Sequence, residues 1–334
     1  MDDHTDSARI AVVIPSYKVT EHILGVLARI GDEVDRIYVV DDRCPDESGK
    51  LVETAVDDPR VVVTYRETNG GVGAATLSGY RQAIADGADV IVKLDGDGQM
   101  DPALIPAFVA PIARRQADYT KGNRFYRVSD VRAMPFARKF GNALLSFLSK
   151  LSSGYWKLFD PTNGYTAIAA PVAEILPYQR IRKRFFFESD MLFHLGILDA
   201  VVADIPMTAI YGEETSNLSI LRSIPEFFFR HSQNFVKRVF YDYVVRDFSI
   251  ASLELFTGLV FVTFGFAFGL LRWFQSVTAE IPATAGTVMV AALPLLIGTQ
   301  LLLSFLSYDM QRRSAIPLQV RLLRSGGADG SDFE

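Results

Sequence analysis

Residues 88–102 read ADVIVKLDGDGQMDP. The apolar run 88–92 predicts a buried strand, and the polar residues follow where that strand should end. Because side chains alternate between the two faces of a strand, we expect Asp95, Asp97 and Gln99 on one side, with glycines between them that allow close approach. Carboxylate and amide oxygens suit Mg²⁺ or Mn²⁺ that keeps open positions for phosphate oxygens. The segment therefore predicts a metal and phosphate site.

Two other interpretations of this segment compete with a metal site. An EF-hand loop also begins with alternating oxygen ligands, but its sixth position requires glycine and its twelfth a bidentate Glu, where this chain has Met100 and Pro106. That interpretation is excluded. An acidic surface turn without a function remains open when the motif is taken alone.

The chain before this segment alternates predicted strands and helices. Strands are predicted at 10–14, 36–40, 61–65 and 89–94, with helices at 21–30, from Asp46, and at 74–85. This βαβ pattern indicates an α/β fold with a Rossmann-like, mostly parallel sheet, in which ligands bind at the carboxyl ends of the strands.

Three further candidate segments follow predicted strands. Pro15 and Tyr17 follow the first strand, and Asp41 and Asp42 close the second. We expect Asp46 to be the N-cap of the next helix, which leaves Asp41 or Asp42 free to bind a base or ribose. The loop 69–73, NGGVG, precedes a helix; it is either a plain turn, a phosphate site made of backbone N–H groups, or a device that positions its neighbours.

The chain beyond Pro102 is less regular. A helix at about 102–116, a strand near 119–125 and an amphipathic helix at 135–151 are predicted, and we expect this half to bind a second substrate.

The C-terminal part predicts a membrane hairpin. There are 17 uncharged residues between Glu254 and Arg272 and 28 between Glu280 and Asp309, against roughly 20 needed to span a bilayer. Two buried core helices are the alternative. Lysine and arginine flank both outer ends of the hairpin but are absent from the connection 273–284, which predicts that both termini are cytoplasmic. Segment 224–248 mixes aromatic and basic residues, as in a helix at the headgroup level.

The composition excludes some functions. A net charge of -5 argues against a nucleic-acid partner, four scattered histidines have no metal-ligand spacing, and the single Cys44 fits a reducing compartment. The acidic start, 1–7, lacks the features of a secretory signal, so no cleavage is expected.

Seven segments, in order, resemble the motifs of one family. They are VIPSYK (13–18), VVDDRCPDESG (39–49), NGGVGAA (69–75), LDGDGQMDP (94–102), KGNRF (121–125), DPTNGYTAI (160–168) and FFFESDML (185–192). Together they resemble the family-2 glycosyltransferases, and specifically the polyprenyl-phosphate sugar synthases typified by dolichol-phosphate mannose synthase. Two departures stand out: Lys18-Val19 replaces the usual Asn-Glu, and Arg43-Cys44 replaces Gly-Ser.

The resemblance implies a GT-A fold and a set of roles. It implies nucleotide binding at Pro15, Tyr17, Asp41, Asp42, Asn69, Gly73 and Asp95, metal binding at Asp95, Asp97 and Gln99, and phosphate contacts in the reaction centre from Arg124. Arg138, Lys183 and Arg184 are candidates for the acceptor phosphate. Asp190 or Glu188 would be the base if the acceptor were a hydroxyl, and capping of its own helix is the alternative role of Asp190.

The expected reaction is inverting transfer of a hexose from a GDP- or UDP-sugar to a polyprenyl phosphate, with Mg²⁺ or Mn²⁺, at the cytoplasmic face of the inner membrane. A membrane-anchored transferase acting on a hydroxyl of a lipid-linked saccharide or glycolipid is one alternative, and a non-catalytic nucleotide-binding scaffold is another. The expected domains are a flexible N-terminus (1–8), a GT-A domain (9–222), interfacial helices (223–249), two transmembrane helices (250–309) and a cytoplasmic tail (310–334).

Overall fold

The structure is a computed structural model that describes residues 8–126, 136–208 and 220–326; for residues 136–140, 142, 220–224 and 325–326 it describes the backbone alone. The predicted flexible N-terminus, apart from its last residue, and the end of the tail lie outside the described residues. The chain forms two compact units, a first unit of Met1–Phe235 with Ser314–Glu334 and a second unit of Val236–Arg313. These bounds differ from the predicted domain ends at 222 and 309.

A seven-stranded sheet forms the centre of the first unit. Its strands are β1 (Ile10–Ser16), β2 (Arg36–Asp41), β3 (Val61–Tyr65), β4 (Val90–Lys93), β5 (Tyr119–Asn123), β6 (Thr166–Ala169) and β7 (Val202–Pro206). The strand order is β3-β2-β1-β4-β6-β5-β7, and β6 alone runs antiparallel to its neighbours. The predicted mostly parallel α/β sheet is confirmed.

Helices connect the strands and extend the chain beyond them. They are α1 (Ile23–Leu27), α2 (Ser48–Ala55), α3 (Val72–Ala85), α4 (Ile105–Ala113), α5 (Phe136–Ser153), α6 (Ala170–Glu174), α7 (Phe187–Ile197), α8 (Ile220–Phe240), α9 (Ile250–Ala279), α10 (Ala285–Gln311) and α11 (Leu318–Gly326). A 3-10 turn, Pro102–Leu104, precedes α4 and is capped by the Asp101 side chain, which accepts the Ala103 N–H at 3.1 Å.

The core explains why the sheet forms. Strands β1 and β4 lie in the middle of the sheet, and their apolar residues 10–14 and 90–92 are all buried, as expected for strands covered on both faces. Lys93, the last residue of β4, is also buried, with a side chain only 1% exposed. A charged residue in this position requires partners.

The second unit is built on two long antiparallel helices, α9 and α10. They approach closely at glycines: a Cβ added to Gly258 would lie 3.0 Å from the Gly298 carbonyl oxygen, and one added to Gly265 would lie 2.8 Å from that of Ala291. Small residues allow such contact between helices in a membrane. Only 17% and 11% of the residues in their most apolar windows are buried, which favours membrane spans over the alternative of buried core helices.

The segment after α10 folds with the first unit. The carboxylate of Asp118, which is fully buried, accepts hydrogen bonds from the backbone N–H groups of Val201 (2.7 Å), Leu318 (2.6 Å) and Gln319 (2.8 Å). The Gln319 amide donates to the carbonyls of Ile112 and Ala117. Residues 314–326 are therefore not a free tail, and the hairpin leaves and re-enters the same unit.

Candidate active site

The polar clusters predicted at the strand ends meet at one edge of the sheet. Ser16 is paired with Asp41 across β1 and β2, and Val13 with Lys93 across β1 and β4. All three strands are parallel, so the residues that follow them lie side by side. This edge is the candidate active site.

The Asp95 segment is a turn and not a continuation of the strand. Strand β4 ends at Lys93, and residues 96–98 turn, with Gly98 at φ +79°. The expectation that strand alternation aligns Asp95, Asp97 and Gln99 is therefore wrong. Gln99 N–H instead donates to Asp97 Oδ1 at 3.0 Å, which fixes the turn through a side chain.

The donor set of this turn fits Mg²⁺ or Mn²⁺. In the described residues no three His, Cys, Asp or Glu side chains come together as a metal cluster. Mg²⁺ is usually held by one or two carboxylates together with substrate phosphates, and it does not need a closed protein cage. The carboxylates of Asp95, 28% exposed, and Asp97, with the Gln99 amide, supply such an open set.

Sequence reasoning missed the partner of Asp95. The Lys93 ammonium lies 2.7 Å from Asp95 Oδ1 and 3.5 Å from Glu188 Oε1. Burial lowers the pKa of Lys93, the two carboxylates raise it, and the net direction is upward, so the ammonium stays charged. The signal in the sequence was a lysine inside an otherwise apolar strand, because lysine is rarely buried without a partner.

Glu188 and Asp190, two candidates for a base, have different surroundings. Glu188 lies in the first turn of α7, where the helix dipole favours an anion, and reaches Lys93 with 15% of its side chain exposed. Asp190 is 3% exposed and accepts the Arg182 N–H and the Asn234 amide, each at 2.8 Å. Each oxygen of Asp190 thus accepts one hydrogen bond that holds the chain. Glu188 is the more exposed of the two, and the role of either residue as a base stays a prediction.

The predicted reaction-centre arginine is firmly held. Arg124 Nε and Nη2 donate to Asp160 at 2.7 and 3.0 Å, and Asp160 is fully buried. Such a bidentate pair fixes the plane of the guanidinium. The Arg124 side chain remains 31% exposed, at the end of β5.

A second buried lysine lies nearby. Lys121, on β5, donates to the carbonyl of Asn163, and burial lowers its pKa to about 8. It holds the loop that contains Asp160 and Gly164. Neither Lys121 nor this loop was assigned a role from the sequence.

Asp41 and Asp42 are less free than predicted. Asp41 accepts the N–H groups of Cys44 (2.7 Å) and Gly49 (2.8 Å), the latter in the first turn of α2. Asp41 therefore satisfies the start of α2, whose N-cap position is Glu47, and the prediction of Asp46 as N-cap is wrong.

Asp42 organises the glycine-rich loop. Its carboxylate accepts the N–H groups of Gly70 (2.9 Å) and Gly71 (2.7 Å) and the Arg66 Nε (2.9 Å). With both aspartates buried at 2% exposure, few acceptor positions remain for a nucleoside. Their nucleotide contacts stay a prediction.

Three backbone N–H groups of the same loop already have acceptors within the protein. Gly70 and Gly71 donate to Asp42, and the Gly73 N–H donates to the Lys183 carbonyl at 3.0 Å. A Cβ at Gly71 would lie 2.7 Å from that carbonyl oxygen. Of the alternatives drawn from the sequence, these contacts support the one in which the loop positions its neighbours. The nucleotide contacts of Asn69 and Gly73 stay a prediction.

Basic residues gather beside this loop. Lys183 and Arg184 are exposed, and Arg184 Nη2 lies 3.5 Å from the Asn69 carbonyl. They stay candidates for the acceptor phosphate. Arg138 lies in α5, but its side chain is outside the described set. Tyr17, which follows β1, is 44% exposed and lies two residues after the half-buried Pro15. The nucleoside contacts of both residues stay a prediction.

The two departures from the family motifs share a backbone property. Lys18 has φ +58° and Arg43 φ +55°. The left-handed region favours glycine and asparagine, the residues that the motifs have there. At both positions the chain therefore has the left-handed backbone conformation, but with residues that adopt it less easily than the Asn and Gly of the family motifs.

With this geometry established, the comparison with solved structures identifies the class of fold. A glucosyl-3-phosphoglycerate synthase from Mycobacterium tuberculosis, solved with Mn²⁺, uridine diphosphate and glucosyl-3-phosphoglycerate, superposes with a TM-score of 0.52 over 70% of this chain and 81% of that chain. The sequences are 19% identical, so the likeness shows the fold alone. The fold is GT-A.

Sequence comparison identifies the family. The family model described as Glycosyl transferase family 2 matches residues 11–175. An undecaprenyl-phosphate mannosyltransferase of Micrococcus luteus is 31% identical over 209 residues, 61% of this chain and 85% of that protein. A UDP-N-acetylglucosamine–dolichyl-phosphate N-acetylglucosaminyltransferase of Methanococcus voltae is 28% identical over 218 residues, 61% and 86%. The chain belongs to glycosyl transferase family 2 and is a glycosyltransferase, which excludes the non-catalytic scaffold.

Proposed function

We propose that the protein transfers a hexose from a nucleotide sugar, GDP- or UDP-linked, to a polyprenyl phosphate, with inversion at the anomeric carbon and with Mg²⁺ or Mn²⁺. The observation that carries the proposal is the open carboxylate turn at Asp95 and Asp97, on a chain that also holds two helices long and apolar enough to cross a membrane. The names of two relatives, which act on undecaprenyl and dolichyl phosphates, support the lipid acceptor.

On the donor side, Asp95, Asp97 and Gln99 hold the metal ion together with the diphosphate. The bound ion supplies positive charge against the negative charge that develops on the leaving nucleoside diphosphate. Pro15 and Tyr17 line the nucleoside side, and Asp41 and Asp42 shape it by fixing the loops after β2 and β3.

On the acceptor side, two anions have to be brought together. A phosphate monoester has a second pKa of about 6, so its oxygen is ionised at neutral pH and attacks the anomeric carbon without a general base. Arg124, oriented by Asp160, and the exposed Lys183 and Arg184 supply the balancing positive charge. A new sugar-phosphate bond forms as the bond to the nucleoside diphosphate breaks.

A hydroxyl acceptor, on a lipid-linked saccharide or glycolipid, is the second candidate. It requires a base, and Glu188 is the carboxylate that supports this function, because it is partly exposed and Asp190 is not.

The proposed location is the inner membrane, with both termini and the first unit cytoplasmic. The hairpin begins and ends in the first unit, and its connection carries no lysine or arginine. Exposed Phe228 and Phe229 on α8 support an interfacial position for that helix. Cysteine-accessibility labelling of a residue introduced after Arg324 tests the orientation, and labelling from outside the cell would reject it.

The reaction is tested by incubating membranes that contain the protein with radiolabelled UDP- and GDP-sugars, with and without EDTA, followed by organic extraction. We expect label in the organic phase with one donor, and its loss with EDTA. Aqueous label with every donor would reject the lipid acceptor. A labelled organic-phase product that forms only when a lipid-linked saccharide is added, and not with polyprenyl phosphate, would favour the hydroxyl acceptor.

A further inference from the structure

The most unusual feature of the site is a buried charged group that contacts the Asp95 turn (residues 95–99). Lys93 is 1% exposed, yet it touches the carboxylates of Asp95 (2.7 Å) and Glu188 (3.5 Å), which come from the turn after β4 and the start of α7. Two separate parts of the chain are thus joined through one ammonium group. A buried lysine is costly unless it is paired, so the pairs define where both carboxylates can lie.

The space around this ammonium is built to fit it. A Cβ at Gly164 would lie 2.6 Å from Lys93 Nζ and 2.6 Å from Asp95 Oδ2. Any larger residue at position 164 would have to displace one of the two charged groups. Glycine at position 164 therefore leaves the space that the Lys93–Asp95 pair occupies.

The balance of charge gives this arrangement a consequence for metal binding. Asp95 and Glu188 both contact Lys93, and Asp97 follows Asp95 by two residues in the same turn. One ammonium compensates one of these three carboxylates. A divalent cation compensates the other two. Without Lys93 the same carboxylates would attract the cation more strongly and repel the anionic substrates more strongly.

We propose that Lys93 is a positioning residue that orients Asp95 toward the metal ion and holds Glu188 beside Asp95. Its positive charge also leaves a net negative charge at the site that one divalent cation can neutralise. This inference rests on the proposed metal role of Asp95. It predicts that loss of Lys93 lowers kcat but raises the affinity for the metal ion. General damage to the fold would instead lower both kcat and this affinity.

The test compares wild type with Lys93→Met in the full-length protein in detergent. Mn²⁺ is added alone, and electron paramagnetic resonance of the free ion measures how much is bound. We expect the Kd for Mn²⁺ to fall about tenfold, and kcat for sugar transfer to fall about a hundredfold because Asp95 and Glu188 lose their fixed orientation. The matched control is Lys121→Met, which removes another fully buried lysine, one that donates to the Asn163 carbonyl. Its Kd for Mn²⁺ should change less than that of Lys93→Met, because the Lys121 ammonium donates to a carbonyl whereas that of Lys93 contacts two carboxylates.

Each outcome decides between the proposals. Wild-type protein that does not bind Mn²⁺ would reject the metal role of Asp95. Suppose that the wild-type protein binds Mn²⁺. An unchanged or higher Kd in Lys93→Met, or an equal fall in Kd in Lys121→Met, would then reject the inference about Lys93 and leave the metal role of Asp95 intact.

A second variant covers the case in which Lys93→Met does not fold. Gly164→Ala keeps every charge but places a methyl group between Nζ and Oδ2. It should lower kcat about tenfold by misplacing Asp95. Because Asp95 is a proposed metal ligand and no charge is removed, the Kd for Mn²⁺ should rise, in the opposite direction to Lys93→Met. Wild-type kcat in Gly164→Ala would show that the geometry of the pair does not matter and would overturn the proposal.

Discussion

The two units each contain a cluster of paired charges, and the clusters differ in solvent exposure. We call the partly exposed cluster at Lys93 open and the buried cluster at Arg238 closed. In the first unit Lys93 is buried but Asp95 and Glu188 keep 28% and 15% of their side chains exposed. In the second unit Arg238 forms two hydrogen bonds to Asp309, at 2.6 and 3.0 Å, and all side chains of that pair are 1–3% exposed.

Further side chains pair with the two charged residues of the second cluster. Tyr243 donates to Asp309 Oδ1 at 2.7 Å, and Asp242 lies 3.6 Å from Arg238 and 3.4 Å from Arg312. Arg238 and Arg312 were counted from the sequence only as charges flanking the hairpin. The comparison shows that a closed cluster holds helices together, whereas an open one keeps carboxylate oxygens available to a ligand. Four predictions test this difference.

The largest effect is expected at the open cluster. Asp97→Asn should lower kcat about a thousandfold, or roughly 4 kcal/mol of barrier, because a ligand of the proposed metal site loses its charge. The thermal unfolding midpoint should change little, since the residue is only partly buried. Steady-state kinetics and a melting curve of the same sample check both. A large fall in the midpoint would mean that the open cluster is structural, like the closed one.

The closed cluster should respond in the opposite way. Asp309→Asn leaves the buried Arg238 without its main partner and should lower the free energy of unfolding by about 3 kcal/mol. Denaturation of the detergent-solubilised protein measures the loss. The matched control is the double variant Arg238→Met with Asp309→Leu, in which no charge is stranded; it should recover most of the stability. A single variant as stable as wild type would contradict the assignment.

A third buried group has no charged partner among the described residues, and it should show what charge pairing contributes to stability. His231 is 1% exposed, its Nδ1 lies 2.8 Å from Ser152 Oγ, and burial lowers its pKa to about 4. Between the ordinary value of 6.5 and about 4, the unfolded chain binds a proton at this position and the folded chain does not, so stability falls as the pH falls.

By pH 5 the loss should reach about 2 kcal/mol. Unfolding measured at pH 7.5 and pH 5 gives this difference, and His231→Asn, which keeps a polar atom near Ser152, should lack it. The same pH dependence in the variant would assign the effect to other groups.

The smallest effect concerns the backbone around the open cluster. Lys18, Arg43 and Glu47 have positive φ beside the site, while in the described part of the second unit Glu280 alone does. Arg43→Gly should raise stability by about 1 kcal/mol, because it relieves a side chain in the left-handed region. Thermal unfolding measures this, with Arg36→Gly in a strand as a control that should be destabilised. No gain in Arg43→Gly would show that its side chain makes a compensating contact.

Much of the fold followed from local patterns. The apolar runs at 10–14 and 88–92 predicted buried strands, and a run of 28 uncharged residues predicted the second long helix. These predictions succeeded because hydrophobic periodicity and length depend on neighbours in sequence. The Asp95 turn failed as a strand because two glycines and an Asp97 side-chain hydrogen bond favour a turn there.

The site itself required the tertiary structure. The sequence alone determined the residue types at the strand ends, the carboxylate turn and the apolar hairpin, since each is a short segment whose chemistry is carried by its own residues. Only the folded chain decided which carboxylates are free. Asp42 and Asp190 are committed to backbone and amide donors, whereas Asp95 and Glu188 share Lys93. These partners are distant in sequence, and the energy of a buried charge depends on what surrounds it in space.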